Sequence, residues 1–156
     1  MNRINKKTTD FRKPYKFFDV TADIGFLAYG NGLNEAFENA GLAMFNIISN
    51  TDNVEAIREE NIEVLSEDLV SLLYDYLEEL LFLHNVELLL FSDFNINIEK
   101  IQTTSQNQYK LTGTVRGEEI NWDKKHMRGS EVKAITFHMM EVKCDKFCKV
   151  RAILDL

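Results

Sequence analysis

Phe94-Asn95-Ile96-Asn97-Ile98-Glu99 alternates apolar and polar side chains without a break. That period of two belongs to a β-strand with one face buried and the other in water. The polar stretch 103–107 reads as a turn, and Tyr109, Leu111 and the Thr114-Val115 pair return as the partner strand. Downstream, Gly117 and Glu118 mark another turn before Ile120 and Trp122, and residues 132–142 with 147–154 form a last hairpin. Upstream, residues 17–29 alternate more loosely and stop at the turn signal Gly30-Asn31-Gly32, while 57–65 reads as a strand with Ile62 and Val64 on one face.

Two segments change period. Leu33, Ala36, Phe37, Ala40, Met44, Ile47 and Ile48 recur at spacings of three and four and predict a helix with one apolar face. Gly32 stands at its N-cap with Glu35 three residues on, but a glycine has no side-chain acceptor to complete a capping box. Ser66 reads as the cap of a second helix, with Glu67 and Asp68 favourably placed in its first turn. Its broad stripe includes Leu69, Leu72, Leu73, Tyr76, Leu77, Leu80 and Leu81, and it is expected to end near residues 84–85. About six strands, largely antiparallel, and two amphipathic helices make an α+β fold, a single layered domain over 15–156. Residues 1–14 read as a disordered basic tail.

The bulk composition excludes several classes. The 156 residues carry a net charge of −7, so the chain lacks the overall basic footprint of a direct nucleic-acid binder. Any RNA is expected to be held by a partner. No stretch is long and apolar enough for a membrane span or a signal peptide, which points to a cytoplasmic protein. Cys144 and Cys148 flank three residues, and the preferred reading is two small residues at a hairpin end. A disulfide is disfavoured in a reducing compartment, and a zinc site would need two more ligands with only His138 near in sequence.

No G-x-S-x-G, phosphate loop, H-E-x-x-H or kinase signature is present. The sharpest chemical feature is a pair of carboxylates on apolar strands: Asp23 after Thr21-Ala22, and Asp155 next to the last residue. Burying either is costly unless its charge is satisfied. If the first and last strands pair, Asp23, Asp155 and the terminal carboxylate of Leu156 converge, and an all-oxygen set suits calcium better than zinc. Exposure at two strand ends is the plain alternative, and Lys133 beside both aspartates is a third. His126 lies in a polar loop that could meet an anion or a partner. Asp68, Asp75, Glu78 and Glu79 share a helix face, either simply solvated or an acidic patch for a basic partner.

Several motifs together resemble the archease family. They are Tyr15-Lys16-Phe17-Phe18-Asp19-Val20-Thr21-Ala22-Asp23-Ile24-Gly25, Glu35-Ala36-Phe37-Glu38-Asn39-Ala40, Glu67-Asp68-Leu69-Val70-Ser71-Leu72-Leu73-Tyr74, Glu131-Val132-Lys133-Ala134-Ile135-Thr136-Phe137-His138 and the ending Ile153-Leu154-Asp155-Leu156. The resemblance implies a non-catalytic cofactor of the tRNA-splicing RNA ligase, which joins a 3′-phosphate or cyclic-phosphate RNA end to a 5′-hydroxyl end using GTP. Such a cofactor promotes ligase guanylation and multiple turnover. It further implies a calcium site at Asp23, Asp155 and Leu156, and a role for Lys133 in activation. Where the family usually has a histidine, between the first aspartate and the threonine, this chain has Val20.

Two other classes stay open on the residues alone. A stand-alone metal-dependent phosphoester hydrolase would need a base beside the metal, for which Asp19 and His126 are the candidates in sequence. A chaperone-like adaptor would use the acidic helix face.

Overall fold

The computed structural model describes residues 13–102 and 104–156. The alternating segment around Phe94 is the middle of β4 (Leu89–Gln102), which folds back on β5 (Asn107–Glu119). With β3 (Arg58–Ser66) they form a three-stranded antiparallel sheet in the order β3-β5-β4. The other strands are β1 (Tyr15–Val20), β2 (Asp23–Gly30), β6 (Ala134–Cys144) and β7 (Cys148–Asp155). They make a four-stranded antiparallel sheet in the order β1-β2-β7-β6. Among the described residues, two α-helices and seven strands thus give the expected α+β architecture. The stretch 17–29, read as one strand, is divided by the two-residue turn Thr21-Ala22. The expected basic tail lies outside the described residues except for Lys13 and Pro14, whose carbonyl accepts from the Tyr29 amide at 2.9 Å.

Helix α1 (Leu33–Ile48) lies between the sheets, against β2 and β7 on one side and β4 on the other. Twelve of its sixteen residues are buried, so it is a core helix rather than one with a single apolar face. Phe37, Met44 and Phe45 are fully buried, and Phe45 packs edge-on against Phe91 with ring centroids 5.5 Å apart. The polar residues of α1 meet both sheets. Glu38 accepts from the Ile96 amide at 2.9 Å, Asn34 accepts from the Ile98 amide at 2.9 Å, and Asn39 donates to the Tyr29 carbonyl at 2.7 Å.

Helix α2 (Leu69–Glu87) packs on β3, β5 and β6. Its cap is Asp68, which accepts from the Ser71 amide at 2.8 Å, and not Ser66. The Ser66 hydroxyl instead donates to Asp75 at 2.6 Å. The helix runs past the expected end because Leu88 takes a left-handed conformation (φ 57°) and turns the chain directly into β4. His84 ties this junction through Nδ1 to the Leu89 carbonyl at 2.8 Å. No described helix is long and apolar enough to cross a membrane.

Two turn readings change. Gly117 and Glu118 lie inside β5, where Gly117 pairs with Arg58 on one side and Phe91 on the other. A register shift between Phe91 and Asp93 brings the Leu90 carbonyl against it, and a Cβ at 117 would collide with that carbonyl. Glycine therefore marks a close backbone approach, not a turn. Cys144 and Cys148 are direct cross-strand partners with Cα atoms 4.1 Å apart, and the structure joins them in a disulfide. With both sulfurs paired, the zinc alternative loses its thiolates.

Gly117→Ala is expected to destabilise the protein by about 2 kcal/mol or more, because backbone rather than a movable side chain must give way. Urea unfolding measures this, and an unchanged midpoint would contradict the packing described.

Candidate functional site

The turn after β1 decides which side chain stands beside Asp23. Thr21-Ala22 joins β1 to β2 with Ala22 in the left-handed region (φ 63°), and it sets Val20 opposite Asp23. On the other side of Asp23, β7 supplies Asp155, and β6 sets Ala134 opposite Asp155. Val20, Asp23, Asp155 and Ala134 therefore form one transverse row on the face of the sheet turned away from α1. Both aspartates are half-buried.

Two like charges directly opposite each other across a ladder repel. Among the described residues, neither aspartate forms an ion pair with a basic side chain. The Lys133 amide donates to the Asp155 carbonyl at 2.8 Å, which fixes that backbone beside the pair. Its exposed ammonium makes no ion pair with either carboxylate. Leu156 packs its side chain against the core and so keeps the chain terminus at the same sheet end. The donor set is all oxygen, the kind that calcium and magnesium take. No three His, Cys, Asp or Glu side chains gather at one point among the described residues, so the aspartate pair by itself is not a complete cation shell.

Asp19 and His126 are not brought to this row. Asp19 pairs with Ile24, one residue out of phase with Asp23, so the two aspartates point to opposite faces of the sheet. His126 is a correction to the loop reading. It is only 3% exposed, with Nδ1 accepting from the Asn121 amide at 2.9 Å and Nε2 donating to Glu118 at 3.0 Å. With both ring nitrogens engaged and its surface covered, His126 braces the 121–131 loop and is not presented to an anion or partner. Among the residues named from sequence as hydrolase bases, none stands beside Asp23 and Asp155.

The likeness to known proteins runs along the whole described domain. Residues 15–156 match the model of the Archease protein family. The chain belongs to the archease family. A Methanothermobacter thermautotrophicus protein named archease is 53% identical over 145 residues, which cover 92% of this chain and 99% of that protein. A Pyrococcus abyssi archease is 44% identical over 131 residues, covering 84% and 89%. A solution structure from Methanobacterium thermoautotrophicum superposes with a TM-score of 0.75 at 49% identity, covering 92% of this chain and 99% of that one. Within this archease-family fold, the register sets Val20 next to Asp23 on one face. The histidine that the resemblance implies would stand beside the aspartate, where this chain offers only an apolar side chain.

One polar cluster escaped the sequence. Glu118, buried at the end of β5, receives Lys125 Nζ at 2.8 Å, the Glu55 amide at 2.9 Å and His126. Lys125 also reaches Glu55 at 2.6 Å. Glu55 lies 70 residues from Lys125 in the chain, so no local spacing announces the contact.

Burial alone would raise the Glu118 pKa, but the hydrogen bonds from Lys125, the Glu55 amide and His126 hold it down at about 2. A depressed folded-state pKa means that its stabilisation is complete above the ordinary value of 4.5 and is lost as pH falls toward about 2. The difference in urea midpoint between wild type and Glu118→Gln is expected to be largest near neutral pH and to shrink between those values. A difference that stays constant down to low pH would contradict this assignment.

Proposed function

We propose that this protein is a non-catalytic activator of the GTP-dependent tRNA-splicing RNA ligase, promoting ligase guanylation and multiple turnover. The observation that supports the reading most directly is the direct register of Asp23 with Asp155, at a sheet end also holding Lys133 and Leu156, in a chain of the archease family. RNA ends then belong to the ligase.

In this reading Asp23, Asp155 and the carboxylate of Leu156 hold a divalent cation, with calcium the best match to an all-oxygen set. The cation, when bound, supplies positive charge toward phosphate or nucleotide oxygens. Asp23 and Asp155 stand on paired strands, so their separation is fixed by the ladder before any partner arrives. That spares the cost of ordering a loop at the moment of contact. Lys133 supplies an exposed ammonium whose backbone is tethered to Asp155. Val20 keeps an imidazole out of the row, so oxygen is the only donor type the row offers.

Two measurements test the reading. In a ligation assay at limiting ligase, wild-type protein raises turnover, and Asp23→Ala or Asp155→Ala loses most of that stimulation. Wild-type stimulation by both variants would sink the proposal. In unfolding experiments with chelator present, Asp155→Asn is expected to be more stable than wild type by a few tenths to about 1 kcal/mol, because a like-charge pair is relieved. Added calcium should stabilise wild type and reverse the order by linkage. No calcium effect on wild type would remove the cation from the proposal.

A further inference from the structure

The same register that aligns the two aspartates also collects cations at the other end of their face. Lys149 is the direct partner of Tyr29 on one side and of Lys143 on the other. In the next row on that face, Leu27 stands between Lys16 and Arg151. Lys16, Lys143, Lys149 and Arg151 therefore share one sheet surface in a chain whose net charge is −7. Acidic residues at this end include Glu141, 3.8 Å from Arg151, Asp145 in the hairpin turn, and Asp52, which lines a cavity with Lys16.

Two features distinguish this surface from scattered lysines. On the three-stranded sheet, Arg58, Lys110 and Arg116 are each paired with a glutamate, and Lys100 lies over the Tyr109 ring. Among the described residues, Lys16, Lys143 and Lys149 have no such partner. Moreover, Lys143 and Lys149 face each other directly, an arrangement that costs energy unless an anion lies between or above them. Aromatic surface adjoins them. Phe147, 43% exposed, reaches back from the hairpin turn to within 6.4 Å of the Tyr29 ring, centroid to centroid. Lysines interleaved with aromatic rings make the surface that single-stranded nucleic acids use, phosphates on the cations and bases on the rings.

We propose that this end of the sheet binds single-stranded RNA directly, with Lys143 and Lys149 as the principal phosphate contacts. The choice of RNA over other polyanions rests on the ligase reading above. From the Lys149 row to the Asp155 row is six residues along β7, roughly 20 Å, with Phe18 lying over Gly25 between them. A strand seated on the lysines therefore lies on the face that carries the aspartate pair, at the opposite end.

The test is fluorescence anisotropy of a labelled single-stranded RNA of about 20 nucleotides, with the full-length protein and no ligase. Binding through three or four cations should weaken roughly 20- to 50-fold between about 50 and about 200 mM salt. The Lys143→Gln/Lys149→Gln double variant should bind about tenfold more weakly, with the log–log salt slope reduced by about 1.4. Its melting temperature should not fall, since a repulsive pair is removed. No binding by wild type at low salt, or equal binding by the double variant, overturns the proposal. Should the variant keep RNA affinity but lose ligase stimulation, the face is a protein contact and the proposal fails. RNA binding that follows the lysines, in a protein without effect on ligase turnover, supports this inference while the proposed function fails.

Discussion

The structure depends on a helix that both sheets need. Neither sheet can bury its inner face alone, and α1 fills the space between them with Phe37, Met44 and Phe45. Apolar filling would be insufficient, because β4 is an edge strand whose outward amides would be left without partners. Each buried amide without a partner costs about 1–3 kcal/mol. Glu38 removes that cost at the buried Ile96 amide, Asn34 accepts from the more exposed Ile98 amide, and Asn39 does the complementary service for the Tyr29 carbonyl. The helix thus stands in for the strand that β4 lacks, which also blocks that edge against pairing with another chain.

From that scaffold the chemistry follows by register. Once β2 lies between β1 and β7, ladder geometry alone dictates which side chains share a face. The outward face then has an acidic end at Asp23 and Asp155 and a basic end at Lys143 and Lys149. The β6 strand departs from strict pairing between Thr136 and Glu141, where four of its residues, 137–140, stand against one of β7. Phe137 leaves the ladder there to stack on Tyr74 of α2, with centroids 4.0 Å apart. The irregularity lies between the two charged ends and fastens the sheet to the second helix.

Much of this was legible in the sequence because its causes are local. The alternation around Ile96, the stripe of α2 and the carboxylate after Thr21-Ala22 each follow from side-chain period within a few residues. The pairing of the aspartate-bearing strands was expected only as a condition, because register is a tertiary property. What escaped was non-local or position-specific. Gly117 resembles a turn residue until Leu90 is seen against it. His126 resembles a surface loop residue until Glu118 is found beneath it. Net charge concealed the basic surface, since a chain average carries no information about faces. A signal was present in Lys143-Cys144-Asp145-Lys146-Phe147-Cys148-Lys149, whose symmetry about the turn foretells that the two cysteines, and then the two outer lysines, stand opposite each other.

The hairpin turn at Thr21-Ala22 has a consequence for how such a chain can change over time. Its composition is free in one sense: the left-handed position held by Ala22 would suit glycine or asparagine better than alanine. Its length is not free. One residue more or fewer would slide β1 by half a pleat, carrying Val20 to the core side and Asp19 outward, while β2 and β7 stayed in place. Substitutions can therefore accumulate at this turn, but insertions and deletions there would exchange the neighbour of Asp23 in a single step.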